Sequence, residues 1–149
     1  EPALAIAAWL GQRLALAPGA ALFIDYGHAS TLTGDSLQAL RHARPAAPLE
    51  AAGQADLTAH VDFTAFGAAA RQAGACVYGT LTQGAFLRRL GLMERTAQLA
   101  AAAPEQAQAL LSGAERQAAP EKMGHLFRVM ALLSPGPPAP PGFEEGLPT

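Results

Sequence analysis

The stretch AALFIDYGH, residues 20–28, constrains this chain more than any other. It follows a Pro18-Gly19 stop, and Ala20 to Tyr26 is too short and too uniformly apolar for an exposed helix. It reads as a strand over 20–26 buried on both faces, which calls for a sheet covered by helices. The strand closes on an acid, a phenol, a glycine and an imidazole: Asp25, Tyr26, Gly27 and His28. Ligands of open α/β sheets sit outside the carboxyl ends of the strands. Those four residues are therefore the first candidates for chemistry, with Gly27 free to turn the chain or admit a ligand. A purely structural account competes: Asp25 caps a turn and Tyr26 packs beneath the next loop.

The elements around this strand follow from periodicity. Residues 2–16 read as a helix opened by Pro2, with Ile6, Leu10 and Leu14 on one stripe beside Ala3 and Ala7, and Trp9 widening it. From Gly27 to about Asp56 little periodicity shows, as in a functional loop or a disordered one. Within it DSLQALRHAR suits a short helix capped by Asp35 or Ser36 and broken by Pro45 and Pro48. Asp62 is a fitting N-cap for a helix over 63–72, with Gly74 just past its end. A second strand is expected over 75–81, then a short helix capped by Thr82. Ala-rich helices are expected over 92–102 and 104–117, and a third strand over 126–134. The Pro-rich stretch 135–149 should be extended, anchored by Phe143. The order is α/β, with a domain over 1–134 and a tail over 135–149.

Composition narrows the function classes. The chain has 149 residues, half of them hydrophobic, and a net charge of −2. That suits one domain with a real core. Lys and Arg are scattered without a basic stripe, which argues against nucleic acid as a partner. No apolar run is long enough to span a bilayer. Lone Cys76 excludes an internal disulfide and reads as a small buried hydrophobe. The near absence of lysine, against abundant Ala, Arg and Pro, points to a GC-rich bacterial genome; the expected location in a bacterium is the cytoplasm.

Several segments in order carry a resemblance: LALAPGAALFIDYGH, GDSLQA, ADLTAHVDF, TQGAFLRRLG, MGHLFRVMAL and PPGF. The series resembles the MidA family, also called DUF185, of class I S-adenosylmethionine-dependent methyltransferases. The resemblance implies the C-terminal part of a Rossmann-like sheet: three strands, with the last antiparallel and central between the other two. It also implies S-adenosyl-L-methionine as cofactor in the intact enzyme. The acceptor would be a protein side chain, with arginine as the candidate because mitochondrial relatives resemble arginine methyltransferases of complex I assembly. A eukaryotic version would then be mitochondrial. Two positions depart from the family's pattern, Ser36 in place of Thr and Ala47 in place of an acid. No Gly-x-Gly occurs anywhere in the chain, so the family's cofactor loop is absent. The expectation is a segment that supplies the acceptor side of the cleft. Alone it would be inactive, and it would self-associate or be held by a companion N-terminal segment.

Under that resemblance Asp25, Tyr26, His28 and His60 are the catalytic candidates. Gly27, Asp56, Thr58 and Gln83 are candidates for substrate binding. In DLTAHVDF the polar Asp56, Thr58, His60 and Asp62 alternate with apolar residues, which in an extended chain puts them on one side. Methyl transfer needs alignment, a deprotonated nucleophile and a site free of competing water. A carboxylate is the natural clamp for a guanidinium, so Asp25 and Asp56 come first. His28 or His60 would take the proton. Structural alternatives stand beside these roles: Asp62 and Thr82 as helix caps, His60 as a hydrogen-bonded structural residue. No metal spacing is recognised among the His and Asp residues, and no G-x-S-x-G supports a hydrolase. A non-enzymatic protein-binding module, docking through the Pro-rich tail, is the alternative function.

Overall fold

A computed structural model of the chain describes residues 2–30, 36–50 and 53–144. Helix α1 (Pro2–Leu16) opens on its proline as expected, but its buried face is Ala7, Gly11 and Leu14. Ile6 and Trp9, expected on the inner stripe, are more than half exposed. Small residues win this face because α1 lies tight against α2 (Phe63–Gln72). A Cβ on Gly11 would stand 2.4 Å from the Ala70 carbonyl oxygen.

The main sheet has four strands: β1 (Ala20–His28), β5 (Val61–Asp62), β6 (Cys76–Thr82) and β7 (Phe127–Leu133), in the order β5-β1-β7-β6. β7 is antiparallel to both of its neighbours and lies between them, which is the expected arrangement. β1 pairs with β7 from Ala20↔Leu133 to Tyr26↔Phe127. On its other edge it pairs only at its end, in parallel, through Gly27↔Val61 and His28↔Asp62.

Two cores form, one on each face. Phe63, Phe66 and Ala70 of α2 and Leu14 of α1 cover Met130, Leu132 and Phe23, and the Phe23 and Phe66 rings meet edge to face at 4.8 Å. On the other face Val129, Ala131 and Leu133 pack with Phe86 and Phe143. The Phe143 ring lies 5.2 Å from that of Phe86, so the tail is anchored where the sequence predicts. This second cluster holds residues of β6 and β7 and none of β1. β1 is accordingly not buried on both faces: Leu22 is 53% exposed and Ile24 46%.

The segment 27–56 departs most from expectation. In place of a capped helix it forms strands β2 (Gln38–Arg41) and β3 (Arg44–Ala46), which join β4 (Asp56–Thr58) in a second sheet, order β3-β2-β4. β2 and β3 meet through a two-residue turn whose residues, His42 (φ 51°) and Ala43 (φ 58°), are both left-handed. Such turns are recognised by Asn-Gly or Asp-Gly, which this turn lacks. The left-handed conformation costs a residue with a Cβ about 1–2 kcal/mol, recovered through the pairing of both strands. Pro45 lies inside edge strand β3, where a missing N–H is tolerated. Asp35 lies outside the described residues. Ser36 Oγ accepts from the His60 backbone N–H at 3.1 Å rather than capping a helix.

The remaining helices follow their sequence signals. Asp62 Oδ1 accepts from Ala65 N–H at 2.9 Å and caps α2. Gly74 follows its end with φ +107°. Thr82 Oγ1 accepts from Ala85 N–H and caps α3 (Gln83–Arg89). α4 (Leu92–Ala102) comes next, and Pro104 opens a 3-10 turn before α5 (Ala107–Ala118). Cys76 is half-buried. Among the described residues no helix is long and apolar enough to cross a membrane.

Candidate functional site

The site begins where β1 ends. Asp25 to His28 were expected where a strand of 20–26 ends, and β1 runs two residues further, through His28, because β5 takes up its outer edge. β7 reverses direction between β1 and β6, so β1 and β6 run parallel and their carboxyl ends share one edge of the sheet. Asp25, Tyr26, Gly27 and His28 lie on that edge, and Thr82 and Gln83 close it at the end of β6.

Each candidate has a definite environment. Asp25 is exposed, and its Oδ1 accepts from Tyr26 N–H at 2.7 Å. Its second oxygen has no protein partner among the described residues and is free to accept from a ligand. The Tyr26 ring lies on the opposite face, 4.3 Å from that of Phe127. His28 Nδ1 bonds the Ser30 carbonyl. A carbonyl only accepts, so Nδ1 carries the proton and a neutral ring keeps its lone pair on Nε2.

Gly27 is a glycine for reasons of packing. A Cβ there would stand 2.4 Å from the Val61 carbonyl oxygen and 2.7 Å from two carbons of the Phe63 ring. The direction a Cβ would take at Gly27 is filled by this chain's own atoms, and the residue lies within β1 rather than at a turn.

The second group reaches the same edge through β5. Because Gly27 pairs with Val61, His60 stands one residue before that contact, beside the end of β1. Its backbone is held by Ser36 and its side chain is exposed. Asp56 and Thr58 lie on β4, exposed, opposite Leu40 and Gln38. They share one face of the small sheet, as period two requires, and the chain continues through His60 to the main sheet. Gln83 is placed differently. It is buried, and its Nε2 donates to the Gln117 carbonyl at 2.9 Å and to Gln117 Oε1 at 3.2 Å. Its amide ties α3 to α5.

The structure adds a residue that sequence reasoning missed. Arg128 of β7 lies opposite Asp25 on one side and Thr82 on the other. Directly opposed residues point to the same face, so these three form a row across the sheet. Arg128 Nε is buried without a hydrogen-bond partner, a condition rare in folded proteins. The one signal in the sequence is that Arg128 is the sole charge in LFRVMALL. Among the described residues no three His, Cys, Asp or Glu side chains gather as metal ligands. Chemically, among the described residues the edge offers a carboxylate with an open oxygen and an imidazole with an open Nε2, in line with a buried guanidinium N–H that lacks a partner.

Comparison with known proteins gives this edge a context. The family described as "Putative S-adenosyl-L-methionine-dependent methyltransferase" matches residues 2–81. The chain is 40% identical over 126 residues to "Protein arginine methyltransferase NDUFAF7, mitochondrial" of Rattus norvegicus, covering 83% of this chain and 28% of that protein. The human protein of that name is 39% identical over the same shares. A COG1565 superfamily protein from Burkholderia thailandensis superposes with a TM-score of 0.85 at 28% identity, over 96% of this chain and 40% of that one. A second COG1565 structure from that organism, bound to S-adenosyl-homocysteine, superposes at 0.82 with 28% identity, over 96% of this chain and 38% of its own. The chain thus spans 28% of the length of these curated relatives.

Proposed function

Because the chain belongs to this MidA-like family of S-adenosyl-L-methionine-dependent methyltransferases, we propose that it supplies the acceptor side of a cleft in which a protein side chain, arginine by the relatives' printed activity, is methylated. The observation that carries the reading is the superposition of 96% of this chain on a protein crystallised with S-adenosyl-homocysteine. The open polar groups at the end of β1 support it.

S-adenosyl-L-methionine is the methyl donor under this reading, but the residues of this chain do not by themselves fit it. There is no Gly-x-Gly turn, and the position over Gly27 is filled by Val61 and Phe63. Cofactor binding is therefore assigned to no residue here. What the chain provides is reception of the acceptor. Asp25, with one oxygen held by Tyr26 N–H, offers the other to a guanidinium N–H. His28, with Nδ1 committed to Ser30, offers Nε2 to the proton that the acceptor nitrogen loses. Arg128 stands opposite Asp25 on the same face of the sheet.

The test is transfer of a labelled methyl group from S-adenosyl-L-methionine to arginine-containing peptides by the whole protein. Asp25→Asn should lower transfer at least about tenfold, because the amide keeps the shape and loses the charge. His28→Gln should lower it by about 10²-fold. Both variants should melt within a few degrees of the parent, since both side chains sit at the rim. Absence of transfer to any side chain, or full activity of Asp25→Asn, would overturn the reading and favour a binding module.

A further inference from the structure

The small sheet carries a charge arrangement that the acceptor edge does not use. The β2–β3 register sets Arg41 directly opposite Arg44 across the two-residue turn, so both side chains leave one face of the hairpin. His42 sits between them in the turn. Both arginines are exposed, and neither guanidinium has a hydrogen-bond or ion-pair partner among the described residues. The next turn, closed by Glu50 N–H to the Ala47 carbonyl at 3.1 Å, folds the chain back. The result is a groove of about 500 Å³ lined by Arg41, His42, Arg44, Pro45, Ala46 and Glu50. Its volume falls within the range of small-ligand sites.

Like charges directly opposed across a hairpin destabilise it. Here they are joined by a turn held left-handed at two residues that carry a Cβ. No ion pair or hydrogen bond among the described residues engages them, and a ligand carboxylate would, because each guanidinium presents a planar fork matched to two oxygens. We infer that the β2–β3 hairpin is a docking arm for an acidic segment of the acceptor protein, with Arg41 and Arg44 clamping a Glu or Asp side chain that flanks the reacting residue. The inference rests on the proposed methyltransferase reading for its choice of partner.

Two observations select an acidic peptide over a polyphosphate. Glu50 lines the groove and would repel a dense run of phosphates. Residues 36–50 contain no Phe, Tyr or Trp on which a base could stack. The connection to the acceptor edge is short: β4 pairs with β2, and only Ala59 and His60 separate Thr58 from β5. At about 3.3 Å per residue, Arg41 lies about 10 Å along the ribbon from the Gln38–Thr58 pair. A peptide held at the arm would reach Asp25 and His28 a few residues further on.

The experiment is fluorescence anisotropy at low ionic strength, using a fluorescein-labelled Gly-Glu repeat peptide, its Gly-Gln counterpart and this chain. The Gly-Glu peptide should bind, weaken steeply with added salt, and lose at least about tenfold in affinity with R41A/R44A. R41K/R44K should fall between, since lysine keeps charge without the fork, and E50Q should bind more tightly. Thermal melts of these surface variants should fall no lower than the parent, and R41A/R44A, which removes the like-charge opposition, should sit at or slightly above it. Equal binding of the Gly-Gln peptide, no binding of Gly-Glu, or unchanged affinity in R41A/R44A would each overturn the inference. Displacement by an oligonucleotide more effective than by unlabelled Gly-Glu would do the same. The assay needs no methyl transfer. A failure here is thus separate from a failure of the methyltransferase reading.

Discussion

Replacing Gly27 by alanine separates two accounts of the end of β1. If the glycine serves a ligand, the free protein should tolerate one methyl group. The structure predicts otherwise. The added Cβ would stand 2.4 Å from the Val61 carbonyl oxygen, where real Cβ contacts essentially never fall below 3.0 Å. That oxygen belongs to the backbone of β5 and cannot swing aside like a side chain. The Phe63 ring at 2.7 Å is 1% exposed and is packed into the core beneath. Relief therefore requires β5 to move away by more than half an ångström, about 0.6 Å, breaking Gly27↔Val61 and shifting a core phenylalanine. Overpacking of this kind costs about 1–3 kcal/mol. A chain of this length has an unfolding entropy of about 0.3 kcal/mol/K near 60 °C, so the melting temperature should fall by about 3–10 °C. Hydrogen exchange at Val61 and Asp62 should quicken in parallel, with exchange in the centre of β7 little changed. A melting temperature within roughly 1 °C of the parent, with β5 still protected, would refute the packing account.

Two further outcomes follow from the same geometry. Asp62→Ala removes the cap on Ala65 N–H and should cost about 1 kcal/mol, whereas Asp62→Asn should retain most of it; denaturant titration with an unchanged slope distinguishes them. As strand residues, Ala20 to Tyr26 pair only with β7 among the described residues, leaving an outer edge with Leu22 and Ile24 exposed on one face. The chain should therefore associate with rising concentration, and Ile24→Lys should suppress this. Light scattering after size exclusion checks it, and a monomer at all concentrations would sink the idea.

Much of this was legible before the structure because the signals are local. The Pro-Gly stop before β1, the acid at Asp62, the hydroxyl at Thr82 and Gly74 after α2 act through hydrogen bonds and backbone conformations within a few residues, so composition and spacing reveal them. The gathering of Asp25 to His28 at a strand's carboxyl end follows from the same local reading. Other features depend on what lies far along the chain. The hairpin at Gln38–Ala46 was hidden because His42-Ala43 carries no turn signature and its strands exist only by pairing with each other and with β4. The buried face of α1 was misplaced because hydrophobicity marks Ile6 and Trp9, whereas the approach of α2 selects the small Ala7 and Gly11. Arg128 became a candidate, and Arg41 and Arg44 a pair, only through strand register. Local sequence determines which segments can be strands and helices, where they start and which polar groups end them. Which residues then face one another is decided by tertiary pairing, because one residue of slip in a strand turns every side chain to the other face.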